Sequence, residues 1–241
     1  MKFFEANELG GECAAALASY DAFVRGKVGA DYSFPLRMRD WELWQVLRRL
    51  PGGETKVGAM LDTGAFNTYL GLWLAERSER VVVSDIYGAR LRKGMLRALG
   101  VLPRKQNEAP FWTWRRTMKA AAPRLEIRPV DLTAMADADG TFDAIVSVSV
   151  IEHIPNVERA LAEMYRCLKP GGRMLLTTDC DRDGKAYADG VRYFSPAELE
   201  RLFAPYPVVS ERRAPDFAER NWCYGRGRPV VTVFVEIQKP G

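Results

Sequence analysis

The sequence predicts an α/β fold: a doubly wound, mostly parallel seven-stranded sheet with helices on both faces and an antiparallel C-terminal strand pair. Three observations favour this fold. From residue 57 onward, short β-branched runs alternate with amphipathic stretches, as parallel strands alternate with crossover helices. Acidic residues directly follow three of these runs. The last two runs have no helix between them, which favours antiparallel pairing.

The N-terminal part of the chain, residues 1–53, predicts a helical cap that precedes the sheet. Trp41, Trp44 and Leu47 lie on one approximate apolar face of a helix. Pro51, followed by two glycines, ends that helix because proline cannot continue it and glycine permits a turn.

The remaining elements follow from β-branched runs and from helix punctuation. Strands are predicted over residues 57–61, 80–84, 125–130, 142–148, 173–178, 208–212 and 230–237, and helices over residues 68–75 and 157–168. Ser195, Pro196 and Glu198 predict the start of a further helix. A serine N-cap, a proline in the first position and a glutamate three residues after the cap are typical of a capping box.

Length and composition predict a single domain over residues 1–241. No apolar run approaches the roughly 18 residues that a membrane-spanning helix needs. Glu5, Glu8 and Glu12 stand where a secretion signal would be apolar. The four cysteines are scattered without C-x-x-C spacing, and we therefore expect a reduced, cytoplasmic protein.

A basic insert, residues 86–124, separates the strands predicted at 80–84 and 125–130. It holds ten basic residues and one acidic residue, so it carries a charge of +9 while the rest of the chain carries −5. Its apolar side chains fall on one helical face, with basic side chains beside them: Phe111, Trp114 and Met118, and then Arg115, Arg116 and Lys119. This composition fits peripheral contact with an anionic membrane through residues 111–119, a phosphate-bearing substrate, or nucleic acid. A lid helix with solvated arginines is the plainer alternative.

Three acidic residues stand at the ends of successive predicted strands. Asp62 and Gly64 follow the first, Asp85 ends the second, and Asp131 ends the third. Ligands of open α/β sheets bind beyond the carboxyl ends of the strands, at the point where the strand order reverses. Glycine allows the backbone to approach a ligand, and a carboxylate such as Asp85 can accept both hydroxyls of a ribose. Asp131 is placed to accept from an adenine amino group.

Several motifs resemble those of the class I, Rossmann-like, S-adenosylmethionine-dependent methyltransferases. In chain order these are residues 59–64 (A-M-L-D-T-G), 82–85 (V-V-S-D), 142–146 (F-D-A-I-V) with 151–155 (I-E-H-I-P), 168–172 (L-K-P-G-G) and 193–199 (Y-F-S-P-A-E-L). The resemblance implies that S-adenosylmethionine is the cofactor. It also implies a set of cofactor-binding residues: Asp62, Gly64, Asn67, Asp85, Ile86, Asp131, Leu132 and Ser147.

The first motif departs from the family pattern D-x-G-x-G-x-G. Phe66 and Thr68 stand where its second and third glycines fall. Asn67, which tolerates a left-handed turn, offers the loop a different path. The departure leaves open a non-catalytic, nucleoside-binding or scaffold domain with a degenerate first motif.

The segment after the fourth predicted strand carries the candidate catalytic residue. His153, the single histidine, is placed to take a proton from an acceptor hydroxyl as the methyl group is transferred. A packing or capping role is the alternative. Some family members hold a metal here with E-x-x-E-H, but Ser149 replaces the first glutamate, so no metal site is predicted. Residues 179–184 resemble half of a calcium loop, but Gly190 stands at the ligating twelfth position, which favours a solvated acidic loop.

Together these observations predict a methyltransferase that uses S-adenosylmethionine. A hydroxyl acceptor is favoured, because a positioned base helps a hydroxyl most. The resemblance implies a small or saccharide-like acceptor, which the basic insert suggests is anionic and phosphate-bearing. A nucleic-acid methyltransferase is the second enzymatic alternative.

Overall fold

A single mixed sheet organises the molecule. The computed structural model describes residues 1–29, 39–50, 56–66, 68–85, 111–184, 191–217 and 230–241. Within these residues seven strands form the sheet: β1 (Lys2–Phe3), β2 (Val57–Thr63), β3 (Ser78–Asp85), β4 (Glu126–Pro129), β5 (Phe142–Val148), β6 (Leu168–Asp181) and β7 (Val230–Gln238). Their order is β1-β7-β6-β5-β2-β3-β4, and β7 is antiparallel to both β1 and β6, whereas the other pairs are parallel. The predicted fold class is therefore confirmed.

Helices pack around this sheet. The described α-helices are α1 (Gly11–Val28), α2 (Asp40–Leu47), α3 (Leu70–Arg77), α4 (Phe111–Ala121), α5 (Val157–Cys167) and α6 (Pro196–Phe203), with short 3₁₀ helices at Ala6–Leu9 and Ile151–His153. The capping box at Ser195 is present as predicted: its side chain accepts from the Glu198 N–H, and the Glu198 carboxylate accepts from the Ser195 N–H. None of the described helices is both long enough and apolar enough to cross a membrane.

The seventh strand comes from the N-terminus, and the strand predicted over residues 208–212 is wrong. Lys2 and Phe3 pair with the middle of β7, while Val208 makes only an isolated bridge to Ile237. Pro207 has no N–H to donate, and the Val209 side chain is 52% exposed, so little burial favours a longer ladder there. The predicted helical cap over residues 1–53 therefore also contributes an edge strand.

Residues 86–110 of the basic insert lie outside the described residues, and its helix α4 docks through Trp114 and Met118. Trp114 and Met118 of α4 are fully buried, as their predicted shared face requires. The Trp114 indole N–H donates to the Thr68 carbonyl (2.9 Å), and the Phe66 ring packs edge-on against the Trp114 ring at 5.6 Å. Phe66 thus replaces a family glycine and gains a packing partner on α4, which couples the insert to the loop after β2.

We expect Trp114→Ala to lower the free energy of unfolding by about 3–5 kcal/mol, because it removes a fully buried indole and its hydrogen bond. Trp112→Ala in the same helix is the matched control: Trp112 is 60% exposed, so its loss should change stability by no more than about 0.5 kcal/mol. Urea unfolding of both variants measures the difference. Equal losses would show that α4 is not anchored by its buried face.

Candidate functional site

Two of the predicted acidic residues converge at the carboxyl ends of β2 and β3. Asp62 is 3% exposed, and it lies in register with Val83, two residues before Asp85. Burial, together with the negative charge of Asp85, raises the pKa of Asp62 to about 8. The Gly71 N–H, at the start of α3, partly offsets this shift. The two carboxyl groups are therefore close enough to interact, as the strand-end argument requires.

The strand order reverses between β2 and β5, and buried polar atoms collect at this point. Thr63 of β2 and Ser147 of β5 are register partners, which places their side chains on the same face of the sheet. The hydroxyl oxygens of both residues and the Oδ2 atom of Asp62 are buried and have no hydrogen-bond partner among the described residues. Buried polar atoms are nearly always satisfied, and an unpaired one costs about 1–3 kcal/mol. Because successive side chains of a strand alternate between faces, Asp62 lies on the opposite face of the sheet from Thr63 and Ser147, and a polar ligand beyond the strand ends would meet the two groups from different sides.

The loop after β2 is tied to its neighbours on both sides. Gly64 has a positive φ of 62°, and a Cβ at this position would overlap the Val150 side chain that follows β5. Only glycine meets both conditions. On the other side, the Phe66 N–H donates to Asp85 Oδ2 (3.3 Å) and the Ala65 N–H to the Ser84 carbonyl (2.9 Å). The backbone of the first motif is therefore held against the ends of both adjacent strands.

The remaining predicted cofactor residues are less directly placed. Asp131 follows β4, is exposed, and uses Oδ1 to accept from the N–H (2.8 Å) and the hydroxyl (2.7 Å) of Thr133. These hydrogen bonds lower the pKa of Asp131. Leu132 beside it is buried. Asn67 and Ile86 lie outside the described residues.

The segment after β5 places two ionisable side chains in opposite environments. His153 is exposed at the end of the Ile151–His153 turn, whereas Glu152 is 2% exposed. Glu152 Oε2 accepts from the Thr178 hydroxyl (3.0 Å), and Oε1 has no hydrogen-bond partner in the described part of the chain. Burial, together with the negative charge of Asp179, raises the pKa of Glu152 to about 8.

The acidic segment at residues 179–184 is not the solvated loop that its sequence predicts. Asp179 and Asp181 belong to β6 and are 2% and 0% exposed. Asp179 accepts from the Thr232 hydroxyl (2.8 Å) and pairs with Arg39 Nη1 (3.4 Å). Residues 173–181 of β6 pair with the whole of β7. β6 is therefore longer than predicted, and these carboxylates are buried within it. Among the described residues, no three ligating side chains are placed to hold a metal ion.

The basic side chains of α4 divide into two groups. The Lys119 ammonium donates to the carbonyls of Pro123 (2.7 Å) and Leu125 (2.6 Å), where it completes the C-terminal end of the helix. Arg116 and Trp112 are exposed, and Arg115 is half-buried. An anionic partner would therefore meet Trp112 and the two arginines rather than Lys119.

Three polar residues of this region escaped the sequence prediction: Thr63, Glu152 and Glu42. Thr63 adjoins the predicted Asp62, and Glu152 adjoins the predicted His153. Strand alternation offers a signal for Thr63, because it falls on the face opposite Asp62. Glu42 lies far away in sequence, on a helix without any motif.

The part of the chain that contains these strand ends also resembles known proteins. Residues 61–176 match the family model described as a methyltransferase domain. Sterol 4-C-methyltransferase strm-1 of Caenorhabditis elegans is 30% identical over 86 residues, covering 34% of this chain and 26% of that protein. Ubiquinone biosynthesis O-methyltransferase of Dechloromonas aromatica is 25% identical over 143 residues, covering 51% of this chain and 61% of its own. The chain therefore spans less than two thirds of the length of either relative.

Among solved structures, the fold is similar to that of 1,6-didemethyltoxoflavin-N1-methyltransferase of Burkholderia thailandensis. The TM-score is 0.56 at 17% sequence identity, and the match covers 100% of this chain and 93% of the other. At this identity the likeness concerns the fold alone.

Glu152 should make stability depend on pH. Because its pKa is raised from 4.5 to about 8 in the folded state, the unfolded chain releases this proton at a lower pH. Its contribution to the free energy of unfolding is therefore fully present below about pH 4.5 and is lost as the pH rises toward 8. Glutamine has nearly the same shape as glutamate but does not ionise, so the Glu152→Gln variant escapes this loss. As the pH rises from 5 to 8, its free energy of unfolding should increase by about 1–3 kcal/mol relative to that of the wild type.

Urea unfolding at both pH values measures this gain. Glu158→Gln is the control, since Glu158 is exposed on α5. Parallel pH profiles for wild type and Glu152→Gln would contradict the burial argument.

Proposed function

We propose that the chain, whose residues 61–176 match the methyltransferase-domain family model, is a class I S-adenosylmethionine-dependent methyltransferase that transfers the methyl group of S-adenosylmethionine to a small-molecule acceptor. The observation that carries this proposal is the set of three unsatisfied polar atoms, on Asp62, Thr63 and Ser147, at the point where the strand order reverses. Such a crevice is where open α/β sheets bind nucleotide-like ligands.

The residues at the carboxyl ends of the strands fit the chemical groups of this cosubstrate. Asp85 would accept from the ribose hydroxyls, since a carboxylate there can accept from two donors. Gly64 and the buried polar atoms beside it would face the methionine end. Asp131 and Leu132 would hold the adenine, one by hydrogen bonding and the other by apolar contact. Asn67 and Ile86 belong to the same proposed set.

The acceptor is proposed to be a small molecule that offers a hydroxyl group. A relative matched over half of this chain is named an O-methyltransferase, which supports an oxygen acceptor. His153 is exposed in the turn that follows β5 and would receive the hydroxyl proton as the acceptor oxygen takes the methyl group. The outward-facing Trp112, Arg115 and Arg116 favour an anionic or phosphate-bearing acceptor, or one delivered from an anionic surface.

The degenerate first motif does not by itself argue for a non-catalytic domain. Phe66 packs against Trp114 while its N–H still reaches Asp85, so the loop keeps a contact between the ends of β2 and β3. A scaffold domain would have no use for unsatisfied polar atoms in its crevice. Binding of the cosubstrate separates the two alternatives.

We predict that the wild-type protein binds S-adenosylmethionine and S-adenosylhomocysteine but not NAD in calorimetric titrations. Asp85→Ala should weaken both affinities at least about tenfold, because each charge-assisted hydrogen bond contributes roughly 1.5–3 kcal/mol. The melting temperature of the ligand-free protein should change little. Asp139→Ala, an exposed carboxylate that pairs with Arg166, is the control and should bind normally.

A wild-type protein that binds neither sulfur compound would overturn the proposed function. Normal binding by Asp85→Ala would instead reject only the ribose contact.

His153→Ala should lower turnover by about 10²-fold while the affinity for S-adenosylmethionine is retained, because general-base catalysis contributes on this scale. Formation of S-adenosylhomocysteine in the presence of a panel of phenols and sugars measures turnover. The Glu158→Gln variant serves as the surface control. Near-normal turnover in His153→Ala would assign His153 to a non-catalytic role.

A further inference from the structure

A glutamate from the N-terminal segment lies at the carboxyl edge of the sheet. Glu42 is on α2, outside the region that matches the family model, and it is completely buried. Its Oε1 atom accepts from the Ser149 hydroxyl (2.6 Å) and the Thr177 hydroxyl (2.7 Å). Arg39 Nη1 lies 3.1 Å from both carboxylate oxygens. Glu42 therefore links α2 to the residue that follows β5 and to its neighbour Thr177 within β6.

Ser149, the partner of Glu42 directly after β5, has an unfavourable backbone conformation. Ser149 has a φ of 52°, and it alone combines a side chain with positive φ in the described part of the chain. A left-handed conformation costs a residue with a Cβ roughly 1–2 kcal/mol, so surrounding contacts must hold it. Glu42 holds the Ser149 hydroxyl, while the Ser149 N–H donates to the carbonyl and hydroxyl of Thr177 (both 3.1 Å).

This conformation determines where the next residues lie. The turn at Ser149 leads directly into Val150, whose side chain covers Gly64 in the loop after β2. The Ile151–His153 turn follows at once and carries the exposed His153. A change at Ser149 would therefore move the side chain that packs on the first motif and the candidate base together.

We propose that Glu42 is a positioning residue of the cosubstrate site. Its hydrogen bond to Ser149 holds the strained turn that seats Val150 on Gly64, so the N-terminal segment completes a site whose motifs lie between residues 61 and 176. The identity of the ligand rests on the proposed function, but the positioning role does not.

Substitutions at Ser149 test the role of the strained turn. Ser149→Ala keeps the Cβ penalty and loses the hydrogen bond, so it should weaken S-adenosylhomocysteine binding about tenfold. Ser149→Gly loses the same hydrogen bond but adopts positive φ freely, so its affinity should stay within about threefold of the wild type. Equal affinities for the two variants would contradict the proposal.

Rescue of Glu42→Ala separates positioning from simple anchoring of α2. Glu42→Ala should weaken S-adenosylhomocysteine binding about tenfold, and adding Ser149→Gly should restore most of the affinity, because glycine no longer needs the carboxylate. If Glu42 only anchors the helix, the second substitution will not restore binding. Should Glu42→Ala not fold, the two Ser149 variants still decide the question.

Glu236→Gln is the matched control. Glu236 also ties the segment around α2 to the sheet, through a 2.9 Å ion pair with Arg49, but it does so from β7 and without contact to Ser149. This variant should lower the melting temperature and leave S-adenosylhomocysteine affinity unchanged. A comparable loss of affinity in Glu236→Gln would show that any loosening of α2 impairs the site.

Amide hydrogen exchange tests the proposal without ligand. In the ligand-free protein, the peptide over residues 147–154 should exchange at least about tenfold faster in Ser149→Ala and Glu42→Ala than in the wild type, and the double variant should regain protection. If the wild type bound no S-adenosylhomocysteine but this exchange pattern appeared, the proposed function alone would fail. An unchanged exchange pattern in both single variants would overturn the positioning role.

Discussion

The parallel pairing of β2 with both β3 and β5 is the constraint on which the site depends. Residue pairs such as Asp62 with Val83 and Thr63 with Ser147 bring the ends of three strands to one edge, although their residues are far apart in sequence. The chain runs outward from β2 to one side and then returns to the other, so the strand order reverses at this junction, where open α/β sheets bind their ligands. Apolar burial of these strands fixes the register, and the register fixes the polar side chains at their ends.

Several energetically unfavourable groups lie at the same edge of the sheet. A buried carboxyl at Asp62, another at Glu152, and unpaired hydroxyls at Thr63 and Ser147 all destabilise the ligand-free protein. The left-handed Ser149 adds strain at the same place. Unpaired polar groups and backbone strain at this edge are the pattern expected of a site that is completed by its ligand.

The sequence predicted what depends on local pattern and missed what depends on distant contacts. β5 was predicted to the residue, and the capping box at Ser195 is present, because both are encoded by neighbouring residues. The seventh strand was misplaced, since the pairing of Lys2 and Phe3 with β7 joins opposite ends of the chain. Likewise, Asp179 is buried because β6 pairs with β7, and the contacts of Glu42 depend on how α2 packs against the sheet. Neither long-range contact produces a periodic pattern in the sequence.

The central claim is that the crevice between β2 and β5 is the S-adenosylmethionine site. A crystal structure of the protein with S-adenosylhomocysteine tests it most directly. The account predicts the ribose hydroxyls within hydrogen-bond distance of Asp85, and polar ligand atoms paired with Asp62 Oδ2 or with the hydroxyls of Thr63 and Ser147 on the opposite face. A ligand bound elsewhere on the molecule, with those three atoms still unpaired, would contradict it.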